Sequence, residues 1–252
     1  MTYGIADALV IARRNLIALF RTPTSLVFST VQPVIFVFMF RYVFGGAIDI
    51  PGVRYVDFLM PGVFVQTMTF GATNTGIALA VDLRTGMIER FRSLPMARSA
   101  VLAGRTIADL VRNLFVIILM LVVGFAVGFR IHTTVLGLVA AVGVMLLFGF
   151  AMSWVMALIG LRTGNPEAAQ AASFPLLGVL VFASSSFVST QTMPGWLRAY
   201  ADHQPVTDTV DAARALVLGG PTTGKVLAAL AWSVAIVAVF APLSVRRYRR
   251  TT

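Results

Sequence analysis

Charged and polar side chains are scarce in this sequence, so their positions limit the chemistry that the chain can perform. The main polar interruption runs from Asp82 to Arg112, is rich in arginine, and separates long apolar stretches. The chain has no cysteine, and its two histidines, His132 and His203, lie far apart in sequence. The sequence therefore offers no thiolate nucleophile, no disulfide and no metal-ligand spacing.

The sequence also lacks a nucleotide-binding motif. No phosphate-binding loop of the form G-x-x-x-x-G-K-[ST] occurs, and the single lysine, Lys225, has Pro221-Thr-Thr before its Gly224 and Val226 after it, which does not fit. The chain therefore cannot bind and hydrolyse ATP by that route.

The composition indicates a membrane protein. Of the 252 residues, 58% are hydrophobic and 12% are charged, whereas soluble domains have roughly 25% charged residues. Apolar runs recur at about the 20 residues needed to cross a bilayer, which excludes an ordinary soluble enzyme. The net charge of +10 falls at predicted membrane edges, so it indicates topology rather than a surface for nucleic acid.

Hydropathy and helix signals predict an all-α, polytopic fold in one domain over residues 1–252. One helix start is clear, because Asn165 can cap it, Pro166 suits the first position and Glu167 favours the positive helix end. The six predicted transmembrane helices cover residues 25–44, 58–81, 110–129, 135–161, 167–187 and 226–245.

The basic residues predict the orientation of the chain. If both termini lie in the cytoplasm, most of the 20 basic residues fall in cytoplasmic segments, as the positive-inside rule requires. An even number of spans agrees with this arrangement. We therefore expect a multi-pass protein of the cell membrane with both termini in the cytoplasm.

Two stretches do not fit a spanning helix. Residues 3–21 place apolar side chains at helical spacing, with charged ones on another face, which predicts an interfacial amphipathic helix at the cytoplasmic surface. A soluble N-terminal helix is the alternative. Residues 190–222 are too polar for lipid and too apolar for water, so they predict an extracellular re-entrant helical hairpin.

The polar interruption contains a short amphipathic segment at residues 83–94. Its apolar residues fall at helical positions i, i+1, i+4 and i+7, and its charged residues occupy a side that faces solvent or a partner protein. Pro95 ends the segment. The alternative is a helix that only lies on the membrane surface. The residues of interest are Met87, Ile88, Glu89, Arg90, Phe91, Arg92 and Leu94.

Polar residues within the second and fifth predicted spans form a second candidate site. Polar groups are costly in lipid, so they should face protein or a water-filled path. We predict that they line a substrate path or a dimer seam, and the alternative is hydrogen bonding between helices without substrate contact. These residues are Gln66, Thr69, Asn74, Gln170 and Ser173.

The acidic residues do not suggest proton transport. Asp57 and Asp82 lie at the ends of predicted spans, so no proton relay is indicated at mid-span. Arg105, Asp109 and Arg112 fall on one helix face, which predicts a structural ladder of ion pairs at the cytoplasmic membrane edge.

Two motifs and the overall layout resemble the membrane subunit of type-2 ABC exporters, in particular the daunorubicin-resistance-like permeases. The segment from Glu89 to Arg98, with Leu94-Pro95 and Arg98, followed by Gly104 to Asp109, is similar to the family's intracellular loop. Met193-Pro-Gly-Trp196-Leu, Gln204-Pro205-Val-Thr207, Asp211-Ala-Ala-Arg214 and Gly219-Gly220 are similar to its extracellular element. One departure is His203-Gln204-Pro205, because the family commonly has Asn before this Pro.

The resemblance implies a function and its partners. It implies a non-catalytic permease subunit that exports hydrophobic or amphipathic compounds, such as drugs, lipids or polyketide-like products. Two copies of a separate ATP-binding subunit would hold the ATP and Mg, with no cofactor in this chain, and residues 83–94 would be the coupling helix that docks in a cleft of that subunit. A second permease half, either a copy or a sister subunit, would complete the transporter among the membrane lipids.

Two alternative classes remain open on the sequence. One is a secondary transporter or channel that works without an ATPase. The other is an intramembrane enzyme, which would need a nucleophile–base pair or a metal set that the isolated histidines do not provide.

Overall fold

The computed structural model describes residues 13, 17, 23–48, 50, 52–87 and 98–250, and these are almost entirely helical. Apart from residues 13 and 17, the predicted interfacial helix over residues 3–21 lies outside the described residues. A π-helix at Met39–Val43 continues the helix that ends at Phe38, and a 3-10 turn lies at Thr190–Thr192. The α-helices are α1 (Pro23–Phe38), α2 (Tyr55–Gly71), α3 (Thr73–Arg84), α4 (Arg98–Ala126), α5 (Val135–Thr163), α6 (Pro166–Phe182), α7 (Gly195–Ala201), α8 (Pro205–Leu218) and α9 (Thr223–Arg250).

Within the part of the chain that the structure describes, three helices are long and apolar enough to cross a membrane by length and composition, over Gly104–Ala126, Val135–Thr163 and Thr223–Arg250. Two shorter apolar helical stretches cover Val31–Val43 and Pro166–Phe182. The chain is therefore an all-helical membrane protein among the residues described. The helix lengths support three membrane spans, and the prediction of six spans stays a prediction.

Several helix ends differ from the positions predicted by hydropathy. The predicted span over residues 58–81 is divided at Ala72 into α2 and α3, and α4 begins well before the predicted position 110. Residues 83 and 84 complete α3 rather than opening a loop helix, and a turn with Gly86 at φ +68° follows them. Hydropathy marks where side chains become polar, whereas backbone hydrogen bonding continues through Asp82 and Arg105.

The bend between α5 and α6 forms as the sequence predicts. Gly164 ends α5 in the left-handed conformation at φ +61°, which glycine adopts without steric cost. The Asn165 side chain then accepts a hydrogen bond from the backbone N–H of Glu167 at 2.9 Å, so it caps α6. α5 packs against most of the other helices and lies at the centre of the bundle.

The predicted re-entrant segment forms two helices, α7 and α8, and α8 packs on α2, α5 and α9. The mostly buried Arg214 guanidinium donates to the carbonyl oxygens of Phe58 (3.1 Å) and Ser185 (2.9 Å) and pairs with Asp211 at 2.9 Å. Burial lowers the pKa of Arg214 to about 10, so this side chain remains charged at neutral pH. Arg214 thereby ties α8 to the start of α2 and to the segment after α6.

Gln204, the position that departs from the family pattern, is also buried, and both polar atoms of its side chain make hydrogen bonds. Its side-chain oxygen caps α8 by accepting from the backbone N–H of Val206 at 3.1 Å. Its amide nitrogen donates to the carbonyl oxygen of Leu180 at 2.9 Å. The longer side chain therefore caps one helix and bonds the end of another.

Glycine allows α3 and α5 to approach closely. A Cβ atom at position 76 would lie 2.5 Å from the carbonyl oxygen of Met156, and one at position 160 would overlap the backbone of Gly76. Small residues at such contacts let helix backbones meet in membranes, where van der Waals packing drives association. The α3–α5 contact therefore depends on Gly76 and Gly160.

We expect Gly160→Ala to destabilise the protein by about 2 kcal/mol, because the added methyl group must push α3 away from α5. Thermal unfolding of the purified protein in detergent measures this change. Gly143→Ala on the same helix is the matched control, because position 143 is exposed and has no atom within 4 Å of an added Cβ. Equal stability of the two variants would contradict the proposed contact.

Candidate functional site

A cavity of about 350 Å³ lies between α1, the α2–α3 junction, α4 and α6. One part of its wall is apolar and includes Phe70 and Phe174, whose ring centroids are 5.8 Å apart. The polar part consists of Gln32, Gln66, Thr67, Thr73, Asn74, Arg112, Asn113 and Gln170. Such a mixed lining is typical of sites for small amphipathic molecules.

The cavity lies near the middle of the bundle rather than at an end. Gly149 is halfway along α5, which places it about 20 Å from either end of that helix. A Cβ atom at position 149 would lie 3.2 Å from Nδ2 of Asn113 and 3.3 Å from Cβ of Met68, and both residues line the cavity. The polar wall therefore lies near the middle of the bundle along the helix axes.

Arg112 is the charged residue of this wall, and it has partners within the protein. Its Nη2 donates to the carbonyl oxygen of Gly71 at 2.6 Å and to Oδ1 of Asn113 at 3.2 Å. Asp109, one turn earlier on α4, lies 3.6 Å from the same nitrogen. Since Gly71 is the last residue of α2, Arg112 fixes the α2–α3 junction against α4.

A hydrogen bond and an ion pair between α3 and α4 connect this network to the helix ends that flank residues 88–97. Thr75 on α3 donates a hydrogen bond to the carboxylate of Asp109. Arg105 pairs with Asp82 of α3 at 2.8 Å, and both side chains are mostly buried. The predicted ladder is thus formed in part along α4, where Asp109 pairs with Arg112, whereas Arg105 pairs with Asp82 because α3 lies alongside α4.

The structure separates the predicted polar residues into two groups. Gln66, Asn74 and Gln170 line the cavity together. Thr69 and Ser173 are buried, and each hydroxyl donates at 2.7 Å to a backbone carbonyl of its own helix, at Val65 and Ala169 respectively. These two residues are not among those that line the cavity.

Sequence reasoning missed the role of Arg112 and did not single out Asn113. A signal was present, since Asn113 is followed by a long apolar run and a polar residue inside a span marks a candidate site. The sequence pattern predicts for Arg112 only a place in the ladder of ion pairs. Its additional place on the cavity wall depends on the position of Gly71, which no local pattern in α4 reveals.

The predicted coupling segment falls largely outside the described residues. Met87 is described, is partly buried, and follows the turn at Gly86. Ile88, Glu89, Arg90, Phe91, Arg92 and Leu94 lie outside the described residues, so their predicted role stays a prediction.

An all-helical membrane bundle with a partly polar cavity near its middle is typical of membrane transport proteins. The chain matches the ABC-2 type transporter family over residues 7–218. It therefore belongs to that family, and the resemblance seen in the two motifs is confirmed. The predicted function as the membrane permease subunit of an ABC transporter is also confirmed.

The relatives agree with this assignment. The chain is 37% identical over 236 residues, 94% of this chain and 83% of the relative, to the daunorubicin resistance ABC transporter permease protein DrrB1 of Streptomyces coeruleorubidus. It is 26% identical over 256 residues, 98% of this chain and 90% of the relative, to the probable doxorubicin resistance ABC transporter permease protein DrrC of Mycobacterium tuberculosis. It is 24% identical over 218 residues, 85% of this chain and 75% of the relative, to the putative transport permease ycf38 of Cyanophora paradoxa.

We expect Asp109→Asn to destabilise the protein by about 3 kcal/mol, because it leaves the buried Arg112 without its carboxylate partner. Thermal unfolding in detergent measures the loss. Glu167→Gln is the control, because it breaks an exposed ion pair with Arg84, and we expect a change of only about 0.5 kcal/mol. A smaller loss for Asp109→Asn than for the control would contradict the structural role of the Asp109–Arg112 pair.

Proposed function

We propose that this permease exports hydrophobic or amphipathic compounds of the drug, lipid or polyketide-like class, and that ATP hydrolysis in a separate subunit drives the export. The observation that carries this proposal is the mixed polar and apolar cavity at mid-depth of the bundle. Two of the relatives are named as daunorubicin or doxorubicin resistance permeases, which supports a drug-like cargo. In this mechanism the cavity binds the cargo partway across the membrane.

The proposed membrane arrangement has six crossings, with both termini in the cytoplasm of the cell. The three long helices α4, α5 and α9 supply three crossings. α1 with its π-helical extension, α2 with α3, and α6 with the residues that follow it supply the others. The basic residues Arg246, Arg247, Arg249 and Arg250 at the end of α9 support a cytoplasmic C-terminus.

The proposed assembly contains two ATP-binding subunits, which hold ATP and Mg, and a second permease half that is either a copy or a sister subunit. This chain itself carries no catalytic group in the proposed mechanism. Gln66, Asn74 and Gln170 contact the cargo, whereas Thr69 and Ser173 support the packing of their helices. The cavity lining and the hydrogen bonds of the two hydroxyl groups support this division.

The polar contacts between α3 and α4 support a path for the coupling of ATP hydrolysis to transport. The proposed coupling segment at residues 83–94 begins with the last two residues of α3 and ends before α4. The Asp82–Arg105 ion pair and the hydrogen bond from Thr75 to Asp109 join the two helices, and Asp109 pairs with Arg112 beside the cavity. A displacement of the segment would therefore move two helices that are joined by polar contacts and that line the cavity.

We expect the double variant Glu89→Ala, Arg90→Ala to lower ATP-driven transport by about tenfold, because the coupling helix would lose its charged contacts with the ATP-binding subunit. Transport into inverted membrane vesicles measures the loss, and recovery of the ATP-binding subunit in a mild-detergent pull-down shows that the complex is intact. Arg249→Ala is the control, because it removes an exposed basic residue at the end of α9.

Normal transport by the double variant, with the ATP-binding subunit still bound, would contradict the coupling role of this segment. Failure to recover any ATP-binding subunit with the unmodified chain would contradict the proposed energy source.

A further inference from the structure

The last helix, α9, carries arginines at the edge of the membrane. Its uncharged stretch over residues 226–245 is about 30 Å long at the rise of an α-helix. This length equals the thickness of the hydrocarbon core of a bilayer. Arg246 directly follows the uncharged stretch, so its guanidinium lies at the level of the lipid headgroups.

One face of the end of α9 is held firmly against the bundle. Tyr248 is 2% exposed and packs in one cluster with Trp154 and Leu161 of α5. The Ser244 hydroxyl donates to the carbonyl oxygen of Trp154 at 3.1 Å, and Nε of Arg247 donates to the carbonyl oxygen of Leu161 at 3.4 Å. These contacts fix the orientation of the helix end about its own axis.

The opposite face of α9 is exposed and changes from apolar to basic. Val239 and Leu243 are exposed and lie four residues apart. Arg246 and Arg250, which are also exposed, continue the same spacing of three and four residues. The four side chains therefore form one stripe along the helix. A lipid whose acyl chain contacts the apolar part of the stripe has its headgroup beside the two arginines.

The two arginines are spaced to hold one phosphate group. Side chains four residues apart on a helix have Cβ atoms about 5–6 Å from each other, so both guanidinium groups can reach the same anion. Arginine binds phosphate oxygens through paired N–H donors. The ion pairs in the described part of the chain do not include Arg246, so an external anion can neutralise its charge.

We propose that Arg246 and Arg250 bind the phosphate of an anionic phospholipid whose acyl chains lie against Val239 and Leu243. A zwitterionic headgroup carries an ammonium group beside its phosphate, and the two guanidinium groups repel that cation. The lipid site lies at the end of α9, outside the cavity, and it depends neither on the exported compound nor on the source of energy.

Lipid retention by the purified full-length chain tests this site. The chain is placed in nanodiscs of equal amounts of phosphatidylglycerol and phosphatidylcholine, and native mass spectrometry then measures the ratio of the two lipids that stay bound. We expect phosphatidylglycerol to be favoured about thirtyfold, because each arginine beside an anionic lipid contributes about fivefold.

The double variant Arg246→Gln, Arg250→Gln should remove most of this preference. Both side chains are exposed, so we expect the same melting temperature as for the unmodified chain. Arg246→Gln alone should lower the preference about fivefold, and it tests the site if the double variant fails to fold. Arg198→Gln with Lys225→Gln is the matched control, because it removes two positive charges that pair with carboxylates elsewhere, and it should leave the preference unchanged.

Inorganic phosphate distinguishes a lipid site from a site for free anions. We expect it not to displace phosphatidylglycerol, because it lacks the acyl chains that contact Val239 and Leu243. Displacement by phosphate would overturn the proposal, as would an unmodified chain that retains the two lipids equally or an equal loss of preference in the control. An unchanged preference in the double variant, with lower recovery of the ATP-binding subunit, would assign the surface to a protein partner and also overturn it.

Discussion

A charged side chain in the apolar interior of a membrane bundle must find its partners within the protein, and Arg112 shows how this chain meets that requirement. Its guanidinium is held by the carboxylate of Asp109, by the amide oxygen of Asn113 and by the carbonyl oxygen of Gly71. Because Gly71 ends α2, the same contacts fix the junction of α2 and α3 beside the cavity. The position of one charge thus determines both the local fold and the character of the site.

The glycines of α3 and α5 provide the second condition for this arrangement. Gly76 and Gly160 let α3 and α5 meet backbone to backbone, and Gly149 leaves room for Asn113 beside Arg112. In lipid, where the surroundings are as apolar as the side chains, such close contacts contribute to helix association through packing. The polar network can therefore lie at mid-depth while the neighbouring helices remain close together.

The proposed coupling path uses the same two helices as the proposed binding cavity. α3 and α4 flank the segment that the sequence predicts as the docking element, and they are joined by the Asp82–Arg105 ion pair and by the hydrogen bond from Thr75 to Asp109. In the proposed mechanism, movement of that segment reaches the cavity through these polar contacts rather than through apolar contacts, which would allow the helices to slide. At the other end of the bundle, Arg214 ties α8 to the residues around Phe58 and Ser185.

The sequence by itself determined the membrane class, the permease family, the absence of a nucleotide-binding motif and the capped start of α6, because these depend on composition, motifs and local backbone chemistry. It did not determine the break at Ala72, the start of α4 or the pairing of Arg105 with Asp82, because hydropathy does not report where backbone hydrogen bonding ends or which helices are neighbours. Gln66 and Thr69 are three residues apart on one helix, yet only Gln66 lines the cavity, while the Thr69 hydroxyl bonds the backbone of its own helix. Only the tertiary structure decided this difference, because helical periodicity orients side chains within one helix, whereas a cavity forms from the distances between helices that are far apart in sequence.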